Sequence, residues 1–505
     1  MISLSVPSIR GSGTLIALSI IFFILDTFLW IFVSIAENNS AIAAIHILFA
    51  GFAIFLILIM GGRLLLPFSV ALIIRSFFAV MAWFTAFNFD RKYYIGTNTD
   101  ASRFWEGSFF SYEQASLGFE DPLFPWVNVF VTKISAQVGD VSYLATTQTV
   151  LFAGALTVPF IQRLAENLYG HRIGILTAYL YALCPTAIVF STGLMRDSLM
   201  GMFGALFLMA LSLAIYKERI GLKVTYICIA LSAGVALAYL RTITLAGYIL
   251  GGFILVVSRT PYRSNCIPRG AKYLGLLALL VLMGFSVLDR PDRYINMFEY
   301  GRMVRDGSMK AIGSELNSEG ITTIIGEISP ALYLVIWPIS LLQPIPFFNW
   351  DAPYYEPGPP ALMDIVLGFG GLYVQILFGF FIYGARWWVL NRDSLGFRIG
   401  VLLNALICTG VMVGLGQIRM VMASCYPFLF IGIAIGFLSI SKYGYLLAIK
   451  VLFFWALFML GLYGAYFSYK YLGILWAFSL SPIILASFWL FWVEVPINDL
   501  KATLK

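Results

Sequence analysis

A chain of 505 residues with 60% hydrophobic and only 11% charged side chains cannot keep a globular surface wet, because ordinary soluble domains carry roughly a quarter charged residues. The formal net charge of +7 is modest for this length and gives no reason to expect nucleic acid as a partner. Two histidines argue against a His-based metal site or triad, and five cysteines without metal-like spacing argue against a disulfide framework.

Apolar runs long enough to cross a bilayer as helices are predicted at 13–35, 41–60, 64–88, 142–162, 172–190, 194–215, 222–239, 242–258, 271–288, 361–387, 396–415, 420–440, 445–467 and 470–492. The first is too long for the apolar part of a cleaved signal peptide. Two polar segments interrupt the series, at 89–141 and 289–360. The first has an amphipathic middle from Phe124 to Ile134, suited to lie along the interface. The second contains an apolar run at 331–345 broken by Pro338 and Pro344, read as dipping into the membrane without crossing it. The expected fold is all-α: a polytopic transmembrane helix bundle of about 14 spans with two long extracytoplasmic loops. Its parts are an N-terminal module 1–288, an extracytoplasmic segment 289–360 with interfacial helices, and C-terminal helices 361–505.

Charge sets the orientation. With the N-terminus inside, the short inner loops hold fourteen basic residues, among them Arg63, Arg163, Arg172 and Arg392, against Glu166, Glu218 and Asp393. The long segments fall outside and are acid-rich, with four basic against seven acidic residues in 89–141 and five against nine in 289–360. This is the positive-inside distribution, and it places both termini in the cytoplasm.

Charges near a membrane are costly, so each one asks for a reason. Asp100 in the first outer segment, Arg196 and Asp197 at a helix start, Arg241 in a tight turn and Arg419 before a late helix all fall on the outer side. Arginine presents a planar, permanently charged fork that grips phosphate oxygens, and a carboxylate beside it can take a proton from a hydroxyl. The plainer reading is that charges at helix ends are interfacial anchors. Asp26 and Arg75 lie deeper and at matched depth. They read as a pair that fixes helix register, with a proton relay as the alternative.

Asp100 with Phe104 four positions on resembles the essential acid and following aromatic in the first outer loop of the GT-C superfamily of membrane glycosyltransferases. Pro122–Trp126, Phe152–Leu156, Ala182–Thr186 and Leu194–Leu199 are similar, in that order, to a proline-aromatic loop, a small-residue helix, a helix ending in proline and an acidic helix start of that superfamily. Leu341–Phe347 and Gly416–Phe428 resemble later elements of bacterial envelope-polysaccharide polymerases of similar architecture. Ala101 stands where many members carry a second acid, which weakens any expectation of a bound divalent metal; no ligand cluster is evident. The chain runs thirteen residues past its last predicted helix, so a large C-terminal soluble domain is not expected and a glycan or lipid acceptor is favoured over a protein.

The resemblance implies transfer of a sugar or oligosaccharide from a polyprenyl-phosphate or -pyrophosphate donor at the extracytoplasmic face of a bacterial inner membrane. Asp100 and Asp197 are then the catalytic candidates, and Arg196, Arg241 and Arg419 the donor-phosphate ligands. Trp350, Tyr354 and Tyr355 are candidates for stacking on sugar rings. The competing expectation is a transporter or lipid-linked sugar flippase, in which Asp26 and Arg75 would line a midplane path.

Overall fold

The computed structural model describes residues 12–88, 100–109, 111–114, 122–216, 219–240, 362–390 and 418–441, together with Tyr248 and most of 449–464. Among them every regular element is helical. Seven helices are long and apolar enough to cross a membrane. The predicted spans at 242–258, 271–288, 396–415 and 470–492, and the segment 289–360, lie outside the described residues apart from Tyr248.

The first three helices are α1 (Ser12–Ala36), α2 (Ser40–Met60) and α3 (Leu65–Asn88). The α1–α2 turn is made by two asparagines. Asn38 takes the left-handed conformation at φ 49°, which asparagine tolerates better than most residues, and Asn39 caps α2 by accepting from the Ala41 N–H at 3.0 Å. Helix α2 ends at Gly61, whose φ of 133° strains any residue with a Cβ. Phe23 meets Phe68, the Trp30 indole donates to Ser76 at 3.0 Å and the Trp83 indole to Glu37 at 2.9 Å. The near-constant sequence offset across these pairs shows that α1 and α3 run side by side in the same direction. Phe28, Phe32, Phe52, Phe55 and Ile59 are exposed on α1 and α2. In a membrane these are the lipid-facing rows, where apolar exposure carries no hydrophobic cost.

Two short helices follow, α4 (Asp100–Gly107) and α5 (Leu123–Val138), and then α6 (Tyr143–Tyr169), which is buried almost all round. The amphipathic middle of the first polar segment is therefore a full helix, with Phe124, Asn128, Val131, Thr132 and Ser135 turned into the protein. The turn between α1 and α2 is fastened to the end of α5: Asn39 donates to the Asp140 carbonyl at 2.9 Å and Ser40 to that of Val138 at 2.7 Å.

The predicted span 172–190 is two pieces, α7 (His171–Ala182) and α8 (Pro185–Phe190). Pro185 has no N–H and ends the helical ladder there. The Cys184 N–H turns to Tyr181 at 3.2 Å, leaving the carbonyls of Leu180 and Ala182 without helical partners. Tyr373 donates to the first at 3.0 Å and the fully buried Arg75 to the second at 3.3 Å. A cation at a helix C-terminus also complements the helix dipole.

The expected pairing of Asp26 with Arg75 is thus not formed. Asp26 instead faces α2, where its Oδ2 lies 3.0 Å from Nε2 of His46, and Nδ1 of that ring lies 3.0 Å from Gln148 of α6. The Asp26–His46 contact is one of proximity rather than hydrogen-bond direction, since neither Asp26 oxygen nor His46 Nε2 has an aligned partner. The ring is held between Trp30 and Phe152. Sequence depth alone matched Asp26 to Arg75; the rotation of each helix about its axis sends the two side chains to different neighbours.

Helices α9 (Asp197–Tyr216), α10 (Ile220–Leu240), α11 (Leu362–Leu390) and α12 (Ile418–Ser441) follow, and a further helical stretch at Ile449–Gly461 packs Trp455 on Phe378 of α11. A Cβ on Gly384 would collide with the Gly432 carbonyl and one on Gly436 with that of Phe380, so glycine lets α11 and α12 pack backbone to backbone. Near the junction of α6 and α7, the buried Glu166 gathers Arg63 at 2.6 Å, Arg163 at 3.4 Å and His171 at 3.0 Å. That acid is one of the three expected among the basic inner loops.

Candidate functional site

The end of the bundle opposite the Glu166 cluster is where α4, the segment 191–196 and the end of α10 come together. Segment 191–196 leads from α8 into α9. Ser191 and Thr192 return their hydroxyls to the carbonyls of Ala187 and Val189 at 2.7 and 2.9 Å, and the Met195 N–H bonds the Gly193 carbonyl at 2.7 Å. Gly154 of α6 lies directly beneath; a Cβ there would strike Ser191 and approach Arg75 Nε to 3.2 Å. Ser198 then donates to the Phe190 carbonyl at 2.8 Å, closing the turn across α8 and α9.

Arg196 stands at the cap of α9, its carbonyl receiving the Met200 N–H at 3.1 Å. The guanidinium carbon lies 5.9 Å from the ring centre of Phe104, within cation–π range, and Nη1 lies 3.5 Å from the carbonyl of Leu240, the last residue of α10. Phe104 is itself held edge-on by Phe124 of α5, with ring centres 4.8 Å apart. Asp197 is buried in the first turn of α9, where the positive end of the helix dipole favours a carboxylate.

The other candidates are located by their backbones. Asp100 opens α4, one turn before Phe104, so its helix is the one against which Arg196 rests. Arg419 lies in the first turn of α12. Tyr373 of α11 reaches Leu180, and a Cβ on Gly370 would meet Thr186 farther along the α7–α8 track, so α11 starts at the α8 end. Ring contacts Tyr373–Phe430 and Phe380–Phe437 make α12 parallel to α11. Arg419 therefore sits about 16 Å along the axis from Phe430 toward that same end, at 1.5 Å per residue. Arg241, which follows Leu240 in the chain, lies outside the described residues, as do Trp350, Tyr354 and Tyr355.

Sequence reasoning missed the aromatic frame of this end. Tyr143, the first residue of α6, stacks on Trp83 with ring centres 6.2 Å apart and meets Trp105 of α4 edge-on at 5.4 Å; its hydroxyl accepts the Leu194 N–H at 3.2 Å. Trp126 of α5 contacts Tyr239 of α10. The available signal was the recurrence of Trp and Tyr at predicted helix ends, which interfacial belts share. Among the described residues no group of three or more His, Cys, Asp or Glu is disposed to hold a metal ion. Asp26 and Arg75 each meet a different neighbour, His46 and the Ala182 carbonyl.

Residues 120–288 match the family model described as dolichyl-phosphate-mannose-protein mannosyltransferase, a GT-C glycosyltransferase family. The matched stretch contains α5 to α10, and with them Arg196, Asp197 and Arg241, and it bears out the resemblance to the GT-C superfamily. No curated protein matches the chain. Two crystal structures of ArnT from Cupriavidus metallidurans are similar over 72% of this chain and 76% of that one. The form bound to undecaprenyl phosphate is 14% identical with a TM-score of 0.33, and the apo form 16% identical with a TM-score of 0.30.

Proposed function

We propose that this chain is a membrane-embedded glycosyltransferase or polymerase of the GT-C type. It moves a sugar or oligosaccharide from a polyprenyl-phosphate or -pyrophosphate donor to a glycan or lipid acceptor, in envelope polysaccharide or glycoconjugate assembly. The observation that carries the reading is the seat of Arg196: half-buried at a helix cap, against the helix that Asp100 opens and beside the end of α10, inside the stretch the family model matches.

In this reading the acceptor hydroxyl gives its proton to Asp100 as its oxygen bonds to the anomeric carbon of the donor, and the bond from that carbon to the phosphate oxygen breaks. The departing lipid phosphate gains charge, which Arg196, Arg241 and Arg419 stabilise without reorganising. Asp197 orients an arginine or the sugar. Trp350, Tyr354 and Tyr355 are the candidates for stacking on sugar rings. The reading sets this end on the extracytoplasmic side of a bacterial inner membrane, with both chain termini cytoplasmic, in keeping with the basic inner loops.

The test is transfer by the purified protein from defined polyprenyl-linked sugars, comparing wild type with Asp100→Asn and Arg419→Ala. Both variants are expected to fold and to lose most of their turnover. Full activity in both removes the site assignment.

A further inference from the structure

We infer that Tyr143 is a positioning residue for Arg196: its hydroxyl fixes the segment 191–196 against α4, and so sets where the guanidinium meets the donor phosphate. The inference rests on the proposed reading of Arg196 as a phosphate ligand. Tyr143 touches both halves of the site at once. Its ring meets Trp105, five residues after Asp100 in α4, and stacks on Trp83, whose own indole is held by Glu37. Its hydroxyl oxygen accepts the N–H of Leu194, two residues before Arg196.

That hydrogen bond matters because of where Leu194 lies. The residue is fully buried, in a segment outside the helical ladders of α8 and α9, so its N–H draws its partner from another helix. Replacing Tyr143 by Phe keeps the ring among its indoles and removes the hydroxyl that accepts the Leu194 N–H. The buried N–H must then find another partner, and the segment carrying Arg196 shifts to supply it. Stabilisation of a phosphate depends on placement at the ångström scale, so such a shift is felt at the ligand while the packing stays intact.

A double-mutant cycle separates positioning from mere support, because residues acting through one another give non-additive effects. The measurement is the affinity of the full chain in nanodiscs for a polyprenyl phosphate, with unfolding temperature followed in parallel. Arg196→Ala is expected to weaken binding about 30-fold and Tyr143→Phe about 5-fold, the sizes of a charged and a neutral hydrogen bond. The double variant is expected to bind no worse than Arg196→Ala alone. Tyr143→Leu, which removes the ring as well, lowers the unfolding temperature, whereas Tyr143→Phe leaves it near that of wild type.

Wild-type affinity in Tyr143→Phe, or effects that multiply to about 150-fold in the double variant, would overturn the inference while leaving Arg196 as a ligand. Wild-type affinity in Arg196→Ala defeats the phosphate-site reading itself, and the inference falls with it.

Discussion

The bundle keeps polar groups in two regions, and the two are built differently. In the interior, Asp26, His46 and Gln148 form one chain across α1, α2 and α6, and Arg75 serves the break between α7 and α8; every one of these side chains is at most 1% exposed. At the α4 end, Arg196 is half-buried on a helix cap, next to a short non-helical segment and three helix termini. The interior groups answer to the fold itself: Arg75 serves the proline break, and Asp26 and His46 lie against each other far from water. The end groups stand on helix termini, where in the proposed reading backbone dipoles and a guanidinium meet an anion. The contrast sets charge that serves packing, at Arg75, apart from charge proposed to serve chemistry, at the cap of α9.

The largest expected effect tests the first half of that contrast. Asp26→Ala strips the buried His46 of its polar neighbour on α1 and should lower stability by about 3 kcal/mol, the cost of a buried polar group left unsatisfied. Thermal unfolding in detergent measures it, and turnover per folded molecule should be unchanged. Leucine at both Asp26 and His46 should restore much of the loss, because no buried polar group is then left unsatisfied. Normal stability with lost turnover would make the interior pair functional and dissolve the contrast.

Arg196→Ala tests the second half, with the opposite signature. Transfer should fall about 100-fold, close to 3 kcal/mol of transition-state stabilisation, with no change in unfolding temperature. Gly154→Ala sits between the regions. Its new methyl meets Ser191 on one side and Arg75 on the other, so about 1–3 kcal/mol of overpacking should appear in stability, with a loss of turnover in the same variant. Ser76→Ala is the smallest change. It removes the acceptor of the Trp30 indole and should cost about 1 kcal/mol of stability without touching turnover.

Much of this contrast was legible in the sequence, though unevenly. Hydropathy located α1, α2, α3, α9, α10, α11 and α12 to within about three residues at each end, because a run of about twenty apolar residues admits few readings, while α6 continues past its predicted end at 162 to Tyr169. Hydropathy carried 172–190 across Pro185 as one helix, although the resemblance of Ala182–Thr186 to a helix ending in proline pointed to the break; a proline in a continuous apolar run is tolerated when distant side chains satisfy the freed carbonyls, and Arg75 and Tyr373 come from far along the chain. Charge alone placed Asp100, Arg196 and Arg419 at one end. It could not pair Asp26 correctly, because the direction a side chain leaves a helix depends on rotation about the axis, and a lone His46 in an apolar run gave no sign that it was the partner. Tyr143 was invisible for a similar reason: its hydroxyl accepts a backbone N–H fifty-one residues away and its ring meets Trp83 and Trp105 of other helices.

The most direct measurement is the turnover of Arg196→Ala and Asp26→Ala side by side, normalised to folded protein, on one polyprenyl-linked sugar donor. The account predicts that the first is slow and fully folded, and that the second is poorly folded yet turns over at the wild-type rate per folded molecule. A folded, fully active Arg196→Ala beside a folded, inactive Asp26→Ala would contradict it, moving the chemistry from the cap of α9 to the middle of the bundle.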